Sequence, residues 1–209
     1  MGISDQLDQE RQAREEKLEE LLADIRSGKP DAFDRFLALI QSTVFLFGVK
    51  VCGRTADASD TMQDTLLAAF QSLPQTDIRD VSALKVWLYK VAKNACLMMR
   101  RKSKFEPKTN LSLEELLPES IHQMDPSVAD WSNLPLDLLL RNEAAETLRE
   151  AIQKLPTPYR LVLVLRDMEQ LSTKEVAAVL DISEETVKIR LHRGRLFLRK
   201  ELEASFTGK

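Results

Sequence analysis

Asp57, Asp60, Gln63 and Asp64 stand within eight residues, in the stretch DASDTMQD. Three carboxylates and an amide at that spacing could hold a divalent cation or perform acid–base work. The rest of the chain withholds the partners such chemistry needs. There are 2 His, no Gly-rich phosphate loop and no nucleophile set beside a base. No catalytic residue, metal ligand or cofactor is therefore expected, and an enzyme is the least favoured class. Cys52 and Cys96 lack a metal-ligand spacing and are expected to be buried, reduced thiols.

A different chemistry gathers near the end of the chain. Thr186 to Lys200 reads TVKIRLHRGRLFLRK, with Lys188, Arg190, Arg193, Arg195, Arg199 and Lys200 and no carboxylate. The whole chain, by contrast, holds 30 Lys+Arg against 33 Asp+Glu. A second basic zone, residues 79–108, carries 9 basic and 2 acidic side chains. Between the two zones, residues 109–137 carry six acids and no Lys or Arg. Segregated positive charge of this kind points to a polyanion, and DNA is the natural candidate. A solvated helix whose positives favour its own dipole is the bland alternative for either zone.

The elements that must position these residues are helical. The 209 residues include 44% hydrophobic side chains and only 6 Gly, with few β-branched runs. Charged residues around Leu7, Leu18, Leu21, Leu22 and Ile25 predict an exposed helix, ended at Ser27-Gly28-Lys29-Pro30. Phe33, Phe36, Leu37, Ile40 and Val44 predict a second. After a polar break at 55–60, a third helix is predicted with Met62, Leu66, Leu67, Ala69, Phe70 and Leu73, ending at Pro74. A fourth, over 82–102, sets Leu84, Trp87, Leu88, Val91, Ala92 and Ala95 against a side bearing Lys85, Lys90, Lys93, Asn94, Arg100 and Arg101. Prolines 107, 118, 126 and 135 then interrupt an acidic linker. Helices at about 138–154, 157–168, 172–180 and 183–203 follow.

The last two form a helix-turn-helix. Ser172 with Glu175 makes a capping box, Asp181 sits at the turn, and Ser183 caps the second helix with Thr186 three positions on. Val187, Leu191, Gly194 and Leu198 share one face, which leaves Lys188, Ile189, His192 and Arg193 on exposed flanks. A helix presented this way fits the DNA major groove. With the caps, turn and buried face all present, DNA binding outweighs the solvated-helix alternative.

The segment LREAIQKLPTPYRLVLVLRDMEQLSTKEVAAVLDISEETVKIRLHRGRLFLRKEL resembles the promoter −35-binding region of bacterial sigma factors of the extracytoplasmic-function (ECF) group. Upstream, SGKPDAFDRFLALI and DASDTMQDTLLAAFQSL are similar to that family's core-polymerase-binding helices. ALKVWLYKVAKNACLMMRRK is similar to the helix that reads and opens the −10 element, and the order of parts matches over residues 28–203. Met98 departs from the usual aspartate before the Arg pair, and Asp181 from the usual turn glycine; Asp tolerates the left-handed conformation better than most residues.

The resemblance implies an all-α protein of two small helical domains joined by an acidic flexible linker. The expected parts are an N-terminal helical extension (1–27), a region 2-like domain for core polymerase and the −10 element (28–103), the linker (104–137) and a region 4-like −35 domain (138–209). It implies −35 contacts by Glu185, Thr186, Lys188, Ile189, Arg190, His192, Arg193 and Arg195. For −10 melting it implies Lys85, Trp87, Tyr89, Lys90, Lys93, Asn94, Arg100 and Arg101, since holding an unpaired strand needs basic groups and base-holding polar or aromatic ones. For Trp87, core packing is the simpler reading; the loop from Thr76 to Ser82 would help capture a flipped base. Asp57, Asp60, Gln63 and Asp64 would dock on a coiled-coil arm of the largest polymerase subunit.

The implied partners are core RNA polymerase, promoter DNA and an anti-sigma factor. An autonomous helix-turn-helix regulator is the competing class, and the basic helix at 82–102, which such a regulator does not need, argues against it. A charged N-terminus without a signal-peptide core, and no apolar run near the roughly 18–20 residues of a bilayer span, predict a cytoplasmic protein without membrane insertion.

Overall fold

A computed structural model describes residues 3–76, 78, 80–102 and 142–207. The secondary structure among the described residues is helical without strands, and the chain divides into two units, Met1–Lys102 and Ser103–Lys209. The expected acidic linker at 104–137 lies outside the described residues.

The first unit holds α1 (Ile3–Arg26), α2 (Ala32–Cys52), α3 (Thr55–Ser72), a 3-10 turn at Leu73–Gln75, and α4 (Val81–Lys102). α1 is not the wholly exposed helix its charge predicts. Leu18, Leu21 and Leu22 are buried, where α1 packs on α2 and α4. The turn into α2 is clamped by Asp24, which receives Lys29 at 2.7 Å and Arg35 at 2.9 Å. Hydrogen bonds from Lys29 first and Arg35 second hold the Asp24 carboxyl below its usual value.

α2 carries Phe36, Ile40, Val44, Phe47 and Val51 inward at helical spacing, and all five are buried. Each such side chain stabilises the fold by roughly 1.5–3 kcal/mol relative to exposure. At 21 residues and a mean hydropathy of 1.5, α2 is by length and composition alone long and apolar enough to cross a membrane, contrary to the expectation from sequence. Here that apolarity is spent on the core, because α2 packs against α1, α3 and α4. Gly53, at φ 80, stops the helix with its N–H on the Val49 carbonyl. α3 begins two residues later, so the polar break expected at 55–60 is in fact its opening turns, with Asp57 favourably placed for the helix dipole.

α3 turns its small residues inward rather than its largest apolar ones. The buried residues are Ala58, Thr61, Thr65 and Ala69, whereas Leu67 and Phe70 are 55% and 63% exposed. The cause is a close approach between helices: a Cβ built on Gly48 would lie 3.0 Å from the Ala58 Cα. Only small side chains fit along that seam.

Cys52 and Cys96 also differ from expectation. They are joined as a disulfide between the end of α2 and α4, with Cα atoms 6.0 Å apart. Packing of α4 on α2 brings together two residues 44 apart in sequence, which no spacing argument could reveal.

The second unit contains α5 (Asn142–Lys154), α6 (Thr157–Leu163) running into a π-helical turn at Val164–Met168, α7 (Thr173–Leu180) and α8 (Glu184–Thr207). Leu155, Val162, Leu165, Leu171, Val176, Val179 and Val187 form its centre. Arg160 is buried, and its two terminal nitrogens donate to the Leu155 carbonyl at 2.9 Å, to Gln153 Oε1 at 2.8 Å and to the Gln153 carbonyl. A cation thus closes the C-terminal end of α5, where orphan carbonyls and the helix dipole both favour it.

Candidate nucleic-acid interface

The helix-turn-helix is built by local bonds that the sequence already specifies. The Ser172 hydroxyl accepts the Glu175 N–H at 3.2 Å, and the Glu175 carboxylate accepts the Ser172 N–H at 2.7 Å. Asp181 ends α7 in the left-handed region, at φ 61 and ψ 46, with its N–H on the Ala177 carbonyl. The turn therefore survives the absence of glycine, because Asp tolerates this conformation. Ser183 then caps α8, accepting the Thr186 N–H at 3.1 Å, and the two hydroxyls lie 2.8 Å apart. Such caps are worth about 1 kcal/mol each and fix where the helix begins.

Val187, Leu191, Gly194 and Leu198 are all buried, so the inner face of α8 is the one its periodicity predicts. Glu185, Lys188 and Ile189 are exposed; Arg190, His192 and Arg193 are half-buried. Two members of the predicted set are differently occupied. Thr186 spends its hydroxyl on the Ser183 cap. Arg195 is held by Asp167 in the π-helical turn, from Nε at 2.9 Å and from Nη2 at 2.6 Å. Its first role is thus to tie α8 to the segment after α6, and a partner 28 residues away was not legible from a basic run.

On α4 the structure sorts the predicted −10 residues. Lys90 and Asn94 are exposed one turn apart, and Met98, 49% exposed, continues that stripe toward the helix end. Trp87 and Lys93 are half-buried. Tyr89 is the correction: it is buried, with its ring edge-on to Phe47 at 5.2 Å, so it serves the core and cannot stack on a base. Lys85 pairs with Glu15 of α1. Arg100 and Arg101 lie in the last turn of α4, with side chains outside the described residues. In the preceding loop Asp80, unremarked from sequence, caps α4 by accepting the Ala83 N–H at 2.7 Å.

The acidic set on α3 remains on the surface: Asp60 and Gln63 are exposed, Asp57 and Asp64 half-exposed. The ridge of Asp60, Gln63 and Asp64 continues along the helix into Leu67 and Phe70. Phe70 meets Phe33 edge-on at 5.7 Å. An exposed aliphatic and an aromatic beside carboxylates make a surface suited to a protein partner rather than to a small ligand. Their exposure is not legible from periodicity, because the stripe of Ala58, Thr61, Thr65 and Ala69 has the same helical spacing.

Comparison with known proteins agrees in both units. The family model "Sigma-70 region 2" matches residues 32–106, and "Sigma-70, region 4" matches 145–198. The ECF RNA polymerase sigma factor SigW of Bacillus subtilis is 32% identical over 178 residues, covering 85% of this chain and 92% of SigW. The RNA polymerase sigma-H factor of Pseudomonas aeruginosa is 26% identical over 190 residues, covering 90% of this chain and 95% of its own. Among solved structures, CnrH in complex with the cytosolic domain of CnrY shares the fold, with TM-score 0.57, 24% identity, and 90% and 98% coverage. RpoE in complex with the anti-sigma factor NepR from Bartonella quintana does so at TM-score 0.59, 22% identity, and 83% and 98% coverage. Two matched regions covering more than half of the chain, and a relative above 30% identity along most of it, establish that this chain belongs to the sigma-70 family, in its ECF group of factors for promoter-specific transcription initiation.

Proposed function

We propose that the chain docks on core RNA polymerase through the α3 ridge and reads a bipartite promoter with α8 at the −35 element and α4 at the −10 element. The observation that supports this most is the intact capping and turn geometry of α7 and α8, which presents Glu185, Lys188 and Ile189 away from the unit's core. In this reading 28–103 is the polymerase and −10 domain, 104–137 the linker, and 138–209 the −35 domain. Lys90, Asn94, Arg100 and Arg101 serve the melted strand, with Lys93 beside them. Asp57, Asp60, Gln63 and Asp64 steer docking electrostatically, while Leu67 and Phe70 supply its desolvated centre.

The chain is thus a dissociable specificity factor rather than an enzyme, working in the cytoplasm where polymerase is. An anti-sigma factor is a fitting inhibitor, because the exposed Leu67 and Phe70 would be covered in its complex as in that with polymerase. Run-off transcription with core polymerase, with and without the full chain, tests the reading. Promoter-specific transcripts only in the presence of the chain are expected. Specific duplex binding without polymerase, and no binding to core, would instead make it an autonomous regulator.

A further inference from the structure

Ile189 is 45% exposed on a helix whose other outward residues in the first three turns are polar. A lone surface isoleucine is ordinary. What distinguishes this one is its position. At about 100° per residue it lies nearly opposite the buried stripe of Val187, Leu191, Gly194 and Leu198. It also sits in the second turn after the Ser183 cap, the part of such a helix that enters the major groove.

We infer that Ile189 is a specificity-determining residue whose branched side chain reads the 5-methyl group of a thymine in the −35 element. This rests on the promoter-binding reading above and adds the chemical group recognised. In the major groove the thymine methyl is the apolar feature that separates T·A from the other pairs, and an apolar side chain is its partner. A β-branched side chain on a helix has one strongly preferred χ1 rotamer, so little rotamer freedom is lost on contact. The neighbours divide the remaining work. Glu185, one turn earlier on the same ridge, can accept from a cytosine amino group but repels phosphate. Lys188, exposed beside Ile189, supplies charge for the backbone or a guanine edge. The ridge centred on Ile189 is therefore built for base edges, with phosphate neutralisation left to its flanks.

The test uses holoenzyme formed from core polymerase and the full chain. A promoter is first selected from duplexes randomised across the −35 element, and each selected thymine is then replaced singly by deoxyuridine. Loss of the methyl at one or two positions should weaken holoenzyme binding roughly fourfold, the worth of about one buried methyl or methylene. Ile189→Ala should lose a similar factor on the thymine template and become indifferent to deoxyuridine at those positions, with unchanged affinity for core. Ile189→Val, which keeps the branch, should retain the methyl dependence. If no position senses the methyl, or Ile189→Ala senses it as the wild type does, the inference is overturned while promoter binding stands. If the holoenzyme selects no duplex at all, the promoter reading itself fails and carries the inference with it.

Discussion

Asp167 and Arg195 form a two-bonded ion pair, 2.9 Å from Nε and 2.6 Å from Nη2, joining the π-helical turn after α6 to the middle of α8. Both side chains are about three-quarters shielded from water. The pair fixes how α8 sits on its unit, so a residue that the resemblance assigns to DNA is also a structural strut.

Asp167→Asn keeps the shape but removes the charge and one acceptor. The second unit should lose about 1–3 kcal/mol of stability by denaturant titration. Arg195→Lys alone should lose a similar amount, since an ammonium does not reproduce the two parallel bonds of the guanidinium. If Asp167→Asn leaves the unfolding midpoint unchanged, the pair is ornamental.

Leu67 is large, apolar and exposed, so Leu67→Ser should cost the free chain within about 0.5 kcal/mol, and Phe70→Ser about 0.5–1.5 kcal/mol through its edge-on contact with Phe33. Affinity for core polymerase should nevertheless fall by tenfold or more, as expected at a desolvated interface centre. Surface plasmon resonance against core checks this. A large drop in melting temperature with no change in core binding would return both residues to a packing role.

Gly48→Ala and Gly194→Ala make an internal comparison. A Cβ at Gly48 would meet the Ala58 Cα at 3.0 Å and its Cβ at 3.1 Å, forcing α2 and α3 apart. A Cβ at Gly194 would meet nothing closer than Leu163 Cδ1 at 3.7 Å. Gly48→Ala should therefore destabilise by about 1–3 kcal/mol. Gly194→Ala should be neutral or stabilising, because Ala suits a helix interior better than Gly. Equal effects in thermal unfolding would contradict the close α2–α3 seam.

The Cys52–Cys96 bond closes a separation of 44 residues. Loop-closure entropy puts its worth at about 4 kcal/mol, an upper figure for many real bonds. Reduction by a dithiol should lower the urea midpoint of the first unit, and Cys96→Ala should abolish the difference between reducing and non-reducing conditions. Rapid alkylation of both thiols in the native, unreduced chain would show the bond is not formed.

Asp24 supplies a pH signature. Lys29 and Arg35 depress its carboxyl in the folded state, so its contribution is present above the ordinary value of 3.8 and is lost as pH falls through the lower folded value. Wild type should exceed Asp24→Asn in stability at neutral pH, and the gap should close only below pH 3.8. A gap independent of pH across that window would remove the carboxylate as its source.

Some of this protein was settled by its local sequence. Ser172 with Glu175, Asp181, and Ser183 with Thr186 act over three or four residues, so their bonds form wherever α7 and α8 form. The inner face of α8 followed from one unambiguous apolar stripe, and a resemblance spanning both units carried the family.

What the tertiary structure decided were choices between faces and between distant partners. α3 has two stripes of helical period, and the approach of Gly48 to Ala58 selected the small one, leaving Leu67 and Phe70 outside. α4 was read correctly as two-sided, yet Phe47 drew Tyr89 into the core. Arg195 found Asp167, and Cys52 found Cys96, across 28 and 44 residues. Periodicity tells a helix which residues share a side, but only the neighbouring helix determines which side is buried and which groups meet there.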